Sequence, residues 1–95
     1  MDRPAQIHVL IPSVFTKFTE GRQSLVLRAE TVQQAIECLV KEFPALQAQL
    51  LDDRGQWLSY VQLFVNDDHI RDLAEFETTL EDNDELVLVP ALAGG

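Results

Sequence analysis

The chain has 95 residues, 46% of them hydrophobic and 24% charged, with a formal net charge of −9. That length allows one domain with one core and no second lobe, and the composition is that of a globular protein, not a disordered one. The negative charge disfavours binding to phosphate backbones or to an anionic membrane surface, while it attracts a basic protein partner by long-range steering.

Ile7-His8-Val9-Leu10-Ile11 is an apolar run closed by Pro12, and it predicts a strand buried on at least one face. Phe15 and Phe18 fall in a connecting segment, and Gly21 permits a turn there. Ser24-Leu25-Val26-Leu27-Arg28 predicts a second strand that pairs with the first as a hairpin across a long loop. Thr31 has the chemistry of a helix N-cap, with Gln34 placed to reach back in a capping box. Val32, Ala35, Ile36, Leu39 and Phe43 recur at spacings of three and four, which predicts one apolar helix face, and Pro44 ends the helix.

Ala45 to Leu51 predicts a short second helical turn, followed by a polar loop at Asp52-Asp53-Arg54-Gly55-Gln56. Val61-Gln62-Leu63-Phe64-Val65 predicts a third strand, and Asn66-Asp67-Asp68 carries turn chemistry. Another helical turn is expected at Thr78 to Leu80, a polar break at Glu81 to Asp84, and a last strand at Glu85-Leu86-Val87-Leu88-Val89, stopped by Pro90. One long helix has one apolar stripe and covers one face of one sheet. The order strand, strand, helix, strand, strand therefore predicts an α+β fold of the β-grasp, or ubiquitin-like, kind: a mixed four- to five-stranded sheet under one main helix, with the last strand beside the first. The expected core is Val9, Ile11, Ile36, Leu39, Phe43, Leu63, Val65, Val87 and Leu88. The expected division is a β-grasp domain at 1–90 and a flexible tail at 91–95.

An internal catalytic constellation is not legible. The single cysteine, Cys38, forms no intrachain disulfide, and on a helix it reads as a packing residue. His8 alternates with strand apolars and is expected on the solvent side or at an edge; His69 is expected exposed in a turn. One Cys and two scattered His make no metal cluster, so no metal site is expected. The acidic turn at Asn66 lacks the Gly and distal Glu of a calcium loop. There is no glycine-rich phosphate loop. The N-terminus has no apolar signal core and no apolar run is long enough to span a membrane, so a cytoplasmic protein is expected.

The chemistry instead points to the ending Val89-Pro90-Ala91-Leu92-Ala93-Gly94-Gly95, which carries no charged side chain in an acidic chain. Glycine has no side chain to clash and tolerates all backbone regions. A Gly pair therefore suits threading through a narrow channel, and five extended residues reach ~17 Å. This ending, with Phe64-Val65-Asn66-Asp67-Asp68-His69-Ile70-Arg71, resembles the ubiquitin-like sulfur carriers. That group includes the molybdopterin synthase small subunit, the thiamine thiazole carrier and the cysteine-biosynthesis carrier.

The resemblance implies a carrier without an active site of its own. An E1-like adenylating enzyme, using ATP and magnesium, would activate the Gly95 carboxylate, and a sulfur donor would convert it to a thiocarboxylate. A biosynthetic enzyme making cysteine, a cofactor or a secondary metabolite would accept the sulfur. Gly95 then supplies the reacting carbon and Gly94 keeps the approach narrow, while Pro90, Ala91, Leu92 and Ala93 form the docking tail. A protease that matures the C-terminus is a further partner where Gly95 is exposed by processing. Two other readings share this sequence: a ubiquitin-like modifier forming isopeptide conjugates, and a non-catalytic β-grasp interaction domain.

Overall fold

Strand β1 (Ala5–Leu10) turns Ala5, Ile7 and Val9 inward while Gln6, His8 and Leu10 stay partly exposed, the two-residue period of a strand covered on one side. The computed structural model describes residues 4–91, and β1 is an interior strand of its sheet. Past Pro12 the chain forms a 3₁₀ segment, Ser13–Phe18, which drops Phe15 into the core. Thr19 is fully buried and its hydroxyl donates to the Arg22 carbonyl at 2.9 Å. Glu20 and Gly21 then take positive φ, 57° and 82°, to turn the chain into β2 (Ser24–Ala29). β2 runs antiparallel to β1, from Ala5 opposite Ala29 to Leu10 opposite Ser24.

Helix α1 (Val32–Glu42) starts at Thr31, whose hydroxyl accepts from the Gln34 backbone N–H at 3.2 Å. Gln34 reaches back one residue further than a standard capping box. Its Oε1 accepts from the Glu30 N–H at 2.9 Å. The orphan N–H of Val32 is taken instead by the Thr78 carbonyl at 3.1 Å. Val32, Ala35, Ile36 and Leu39 are buried, and Phe43 caps the helix in a non-helical conformation, φ −129° and ψ 81°, before Pro44. A 3₁₀ turn, Pro44–Leu46, and the single-turn α2 (Gln47–Leu50) bury Leu46 and Leu50 completely. The polar loop closes on Asp52, whose Oδ1 accepts from the N–H groups of Arg54 and Gln56.

β3 (Val61–Val65) and the short β4 (Asp68–His69) form a tight hairpin around Asn66-Asp67, with Asn66 at φ 57°. β5 (Glu85–Pro90) inserts between β3 and β1, antiparallel to the former and parallel to the latter. The sheet order is β2-β1-β5-β3-β4, a mixed five-stranded β-grasp sheet with α1 across one face.

Four expectations change. The helical turn expected at Thr78–Leu80 lies earlier, as a 3₁₀ turn at Glu75–Glu77. Thr78–Leu80 is extended because it serves the start of α1: Thr79 bridges Thr31, and the Leu80 N–H donates to the Glu30 carbonyl at 2.9 Å. In the core, Leu86 and Leu88 are buried while Val87 is only half-buried, since adjacent strand residues face opposite sides. The remaining expected core residues are all buried. Cys38 is exposed on α1, its Sγ 3.8 Å from the Arg28 carbonyl, so it is not a packing residue. His69 is half-buried in β4 rather than exposed in a turn, because its ring is held from two sides by hydrogen bonds described below. The tail from Leu92 onward lies outside the described residues.

Candidate functional site

β5 carries the chain out of the sheet. Its pairing with β3 runs from Val65 opposite Leu86 to Val61 opposite Pro90. One residue further, the Ala91 N–H donates to the Tyr60 carbonyl at 2.7 Å. In an antiparallel ladder the hydrogen-bonding side alternates. Pro90 therefore falls where its missing N–H faces away from β3, on a flank that β1 has left, because β1's pairing with β5 ends at Leu10 opposite Val87. Proline costs no ladder bond there. Of the expected tail residues, Pro90 and Ala91 are thus placed at the mouth of the tail, and Leu92, Ala93, Gly94 and Gly95 lie outside the described residues.

Beside the tail root is the sheet face that α1 leaves open. Across the ladders, His8 stands between Val26 and Glu85, and Val87 between Leu10 and Phe64. Val26 is 56% exposed and Val89 42%. This band of Val26, Leu10, Val87, Val89 and Phe64 is apolar at its centre, with Arg28, Glu85 and Gln62 on the same face. His8 belongs to it as a central-strand residue, not an edge residue. Tyr60 carries no signal of its own in the sequence, whereas the exposed sheet face is, with the tail, the surface an adenylating partner is expected to grip. The signal for that face is present: Leu86 to Val89 is apolar at every position, and a sheet with one covering helix leaves half of such a strand uncovered.

His69 is tied into the fold. Its Nε2 hydrogen-bonds Gln62 Oε1, and its Nδ1 accepts from the Arg71 N–H at 3.0 Å. That network assigns the proton to Nε2. The ring also meets Phe64 edge-on at 5.1 Å between centroids. A second polar knot joins Asn66 to the start of β5: the Asn66 side chain accepts from the Glu85 N–H at 3.0 Å and donates to Asp84 at 3.1 Å. Both knots hold strand ends in register and neither opens a cleft for substrate. Among the described residues, no group of three His, Cys, Asp or Glu side chains is placed to hold a metal ion. The arrangement offers an open apolar sheet face beside the point where Ala91 leaves β5.

Fold and site together define a β-grasp protein whose last strand, β5, runs out to Pro90 and Ala91. The family model described as "ThiS family" matches residues 9–95. The sulfur carrier protein CysO of Mycobacterium tuberculosis is 28% identical over 91 residues, covering 94% of this chain and 98% of the relative. The crystal structure of the Amycolatopsis orientalis BexX/CysO complex matches with a TM-score of 0.83 and 27% identity, over 94% of this chain and 99% of that one. The small archaeal modifier protein 1 of Methanosarcina acetivorans matches with a TM-score of 0.85 and 25% identity, over 99% and 100%. The chain belongs to the ThiS family, and it is a sulfur carrier with a ubiquitin-like fold.

Proposed function

We propose that Gly95 is the working end of the carrier. An adenylating partner uses ATP and magnesium: a Gly95 carboxylate oxygen attacks the α-phosphorus and pyrophosphate leaves. A sulfur nucleophile then adds to the acyl carbon and AMP leaves, giving the thiocarboxylate. A free carboxylate is a poor electrophile, so one oxygen must first become a leaving group. The thiocarboxylate sulfur is then delivered to a biosynthetic enzyme making a small molecule, cysteine, a cofactor or a secondary metabolite.

The observation that carries this reading is the ladder bond from Ala91 to Tyr60, which holds the chain in register to the last residue before Leu92. Positioning supplies much of the rate of such displacements, and a tail rooted in a rigid sheet has a fixed origin from which to reach. The complex of Amycolatopsis orientalis CysO with BexX supports a carrier of this fold working docked to a partner protein. The test is intact mass spectrometry of the protein isolated from its native cell. One oxygen replaced by sulfur at the C-terminus is expected, and a C-terminus that stays a carboxylate when the protein is incubated with activating enzyme, ATP and sulfide overturns the reading.

A modifier role has one observation behind it, the likeness to the small archaeal modifier protein of Methanosarcina. Isopeptide-linked conjugates recovered from the native cell distinguish it from the carrier role.

A further inference from the structure

On the α1 side of the sheet, three segments meet around a notch of about 280 Å3. Glu37 and Val40 reach it from the margin of α1. Leu51 and Trp57 reach it from the polar loop, where their backbones bridge across a turn closed by the Asp52 N–H to Gln56 carbonyl bond at 2.8 Å. Phe76 arrives from the 3₁₀ turn Glu75–Glu77. Val40, Leu51, Trp57 and Phe76 are half-buried, so each packs on the core and leaves apolar surface facing the notch.

Both chemistries of the notch are held in place. Trp57 Nε1 donates to the Val61 carbonyl at 2.7 Å, so the polar edge of the indole is satisfied within the fold and ring surface is what remains. The Phe76 ring stands 5.5 Å away between centroids at 60°, and the two rings form the sides of an angle, not a stack. Glu37 is the one charged side chain lining the notch among the described residues. Gln33 Nε2 donates to its Oε2 at 3.0 Å, which orients the carboxylate and leaves Oε1 for another donor.

We propose that this notch receives an arginine side chain presented by a partner protein. Its volume falls below the roughly 300–1,000 Å3 of sites that enclose a whole small molecule, and suits one side chain. The walls are aromatic and aliphatic, and the single charge is negative. A guanidinium meets both demands, because it is planar and weakly hydrated, stacks on aromatic faces and forks onto a carboxylate. A lysine ammonium is compact and strongly hydrated, and loses more on entering. The loop's own cation, Arg54, does not line the notch. Glu75 and Glu77, both exposed, flank Phe76, and the chain's charge of −9 draws a basic surface towards it.

The notch shares no lining residue with the open sheet face or with Pro90 and Ala91. A protein held here does not compete with one that grips that face, and the inference does not depend on Gly95.

Trp57 is the one tryptophan of the chain, so its fluorescence reports on this place alone. The test titrates the full chain with N-acetyl-arginine methylamide, whose blocked ends carry no charge. A saturable change in Trp57 emission is expected, with matching NMR shifts of the Trp57 indole and the Val40 methyls. The citrulline analogue, similar in shape but neutral, should bind about tenfold more weakly, the usual worth of a hydrogen bond to a charged group. Glu37→Gln, on an exposed side chain, should weaken the arginine probe several-fold with unchanged circular dichroism, and Phe76→Leu should weaken it while keeping the apolar wall. Equal binding of the citrulline analogue, which indicates an apolar slot, overturns the proposal. So does equal binding of N-acetyl-lysine methylamide, an unchanged response in Glu37→Gln, or no saturation in the tens of millimolar. None of these failures bears on the sulfur-carrier reading, which stands or falls on the mass of the C-terminus.

Discussion

Ala91 and Tyr60 are joined by a 2.7 Å backbone hydrogen bond one step past the last strand pair, Pro90 opposite Val61. The tail therefore leaves the fold from a rung of the sheet, and the consequences for chemistry and stability can be separated by mutation.

Removing Gly95 should abolish ATP–pyrophosphate exchange with the cognate activating enzyme, because the new terminus falls short by about 3.5 Å. Circular dichroism should be unchanged, since no residue of the sheet or helices is touched. Normal exchange by the truncated, folded protein removes the carrier and modifier roles together.

Gly94→Val should lower the same exchange rate by on the order of a hundredfold, the usual cost of a misplacement of about 1 Å. A β-branched side chain stiffens χ1 and adds bulk at the narrowest part of the path. Stability in urea should match the parent.

Leu39→Ala should cost about 2–5 kcal/mol of stability, because Leu39 is fully buried between α1 and the sheet and its loss leaves a cavity. Thr31→Ala should cost about 1 kcal/mol, the usual loss for an N-cap hydroxyl, here the one bonded to the Gln34 N–H. Urea denaturation midpoints measure both, and an unmoved midpoint for Leu39→Ala excludes it from the core.

Val89→Asp should leave stability within about 0.5 kcal/mol, as for other surface changes, because this side chain is 42% exposed on the open sheet face. Binding to the activating enzyme should weaken by more than about 1 kcal/mol if the face is a docking hot spot. Titration calorimetry measures it. Association rates should also fall as salt rises, since exposed charges are screened beyond about 8–10 Å at physiological ionic strength; flat rates exclude electrostatic steering.

Periodicity and punctuation made most of the fold legible from the sequence alone. The 3.6-residue stripe from Val32 to Phe43, bounded by Thr31 and Pro44, defines α1 because a helix buries one face and its ends need capping groups. The apolar runs at Ile7, Leu25, Val61 and Leu86 define four strands of the sheet, and the Gly-Gly ending behind Pro90 is the reason Gly95 is proposed as the working terminus. What the sequence left open is decided between elements distant in the chain. Leu86 to Val89 is apolar throughout, so alternation could not say whether Leu86 or Val87 faces α1. The parallel register with β1, Val9 opposite Leu86, settles it by placing Leu86 on the covered side. Thr78–Leu80 looks helical locally and is extended because the backbone at Glu30 and Val32, nearly fifty residues away, takes its hydrogen bonds. The notch beside Glu37 joins residues near positions 37, 57 and 76. No local pattern encodes such a meeting, because sequence spacing sets which face a side chain takes within its own element, while packing and register between elements set what that face meets.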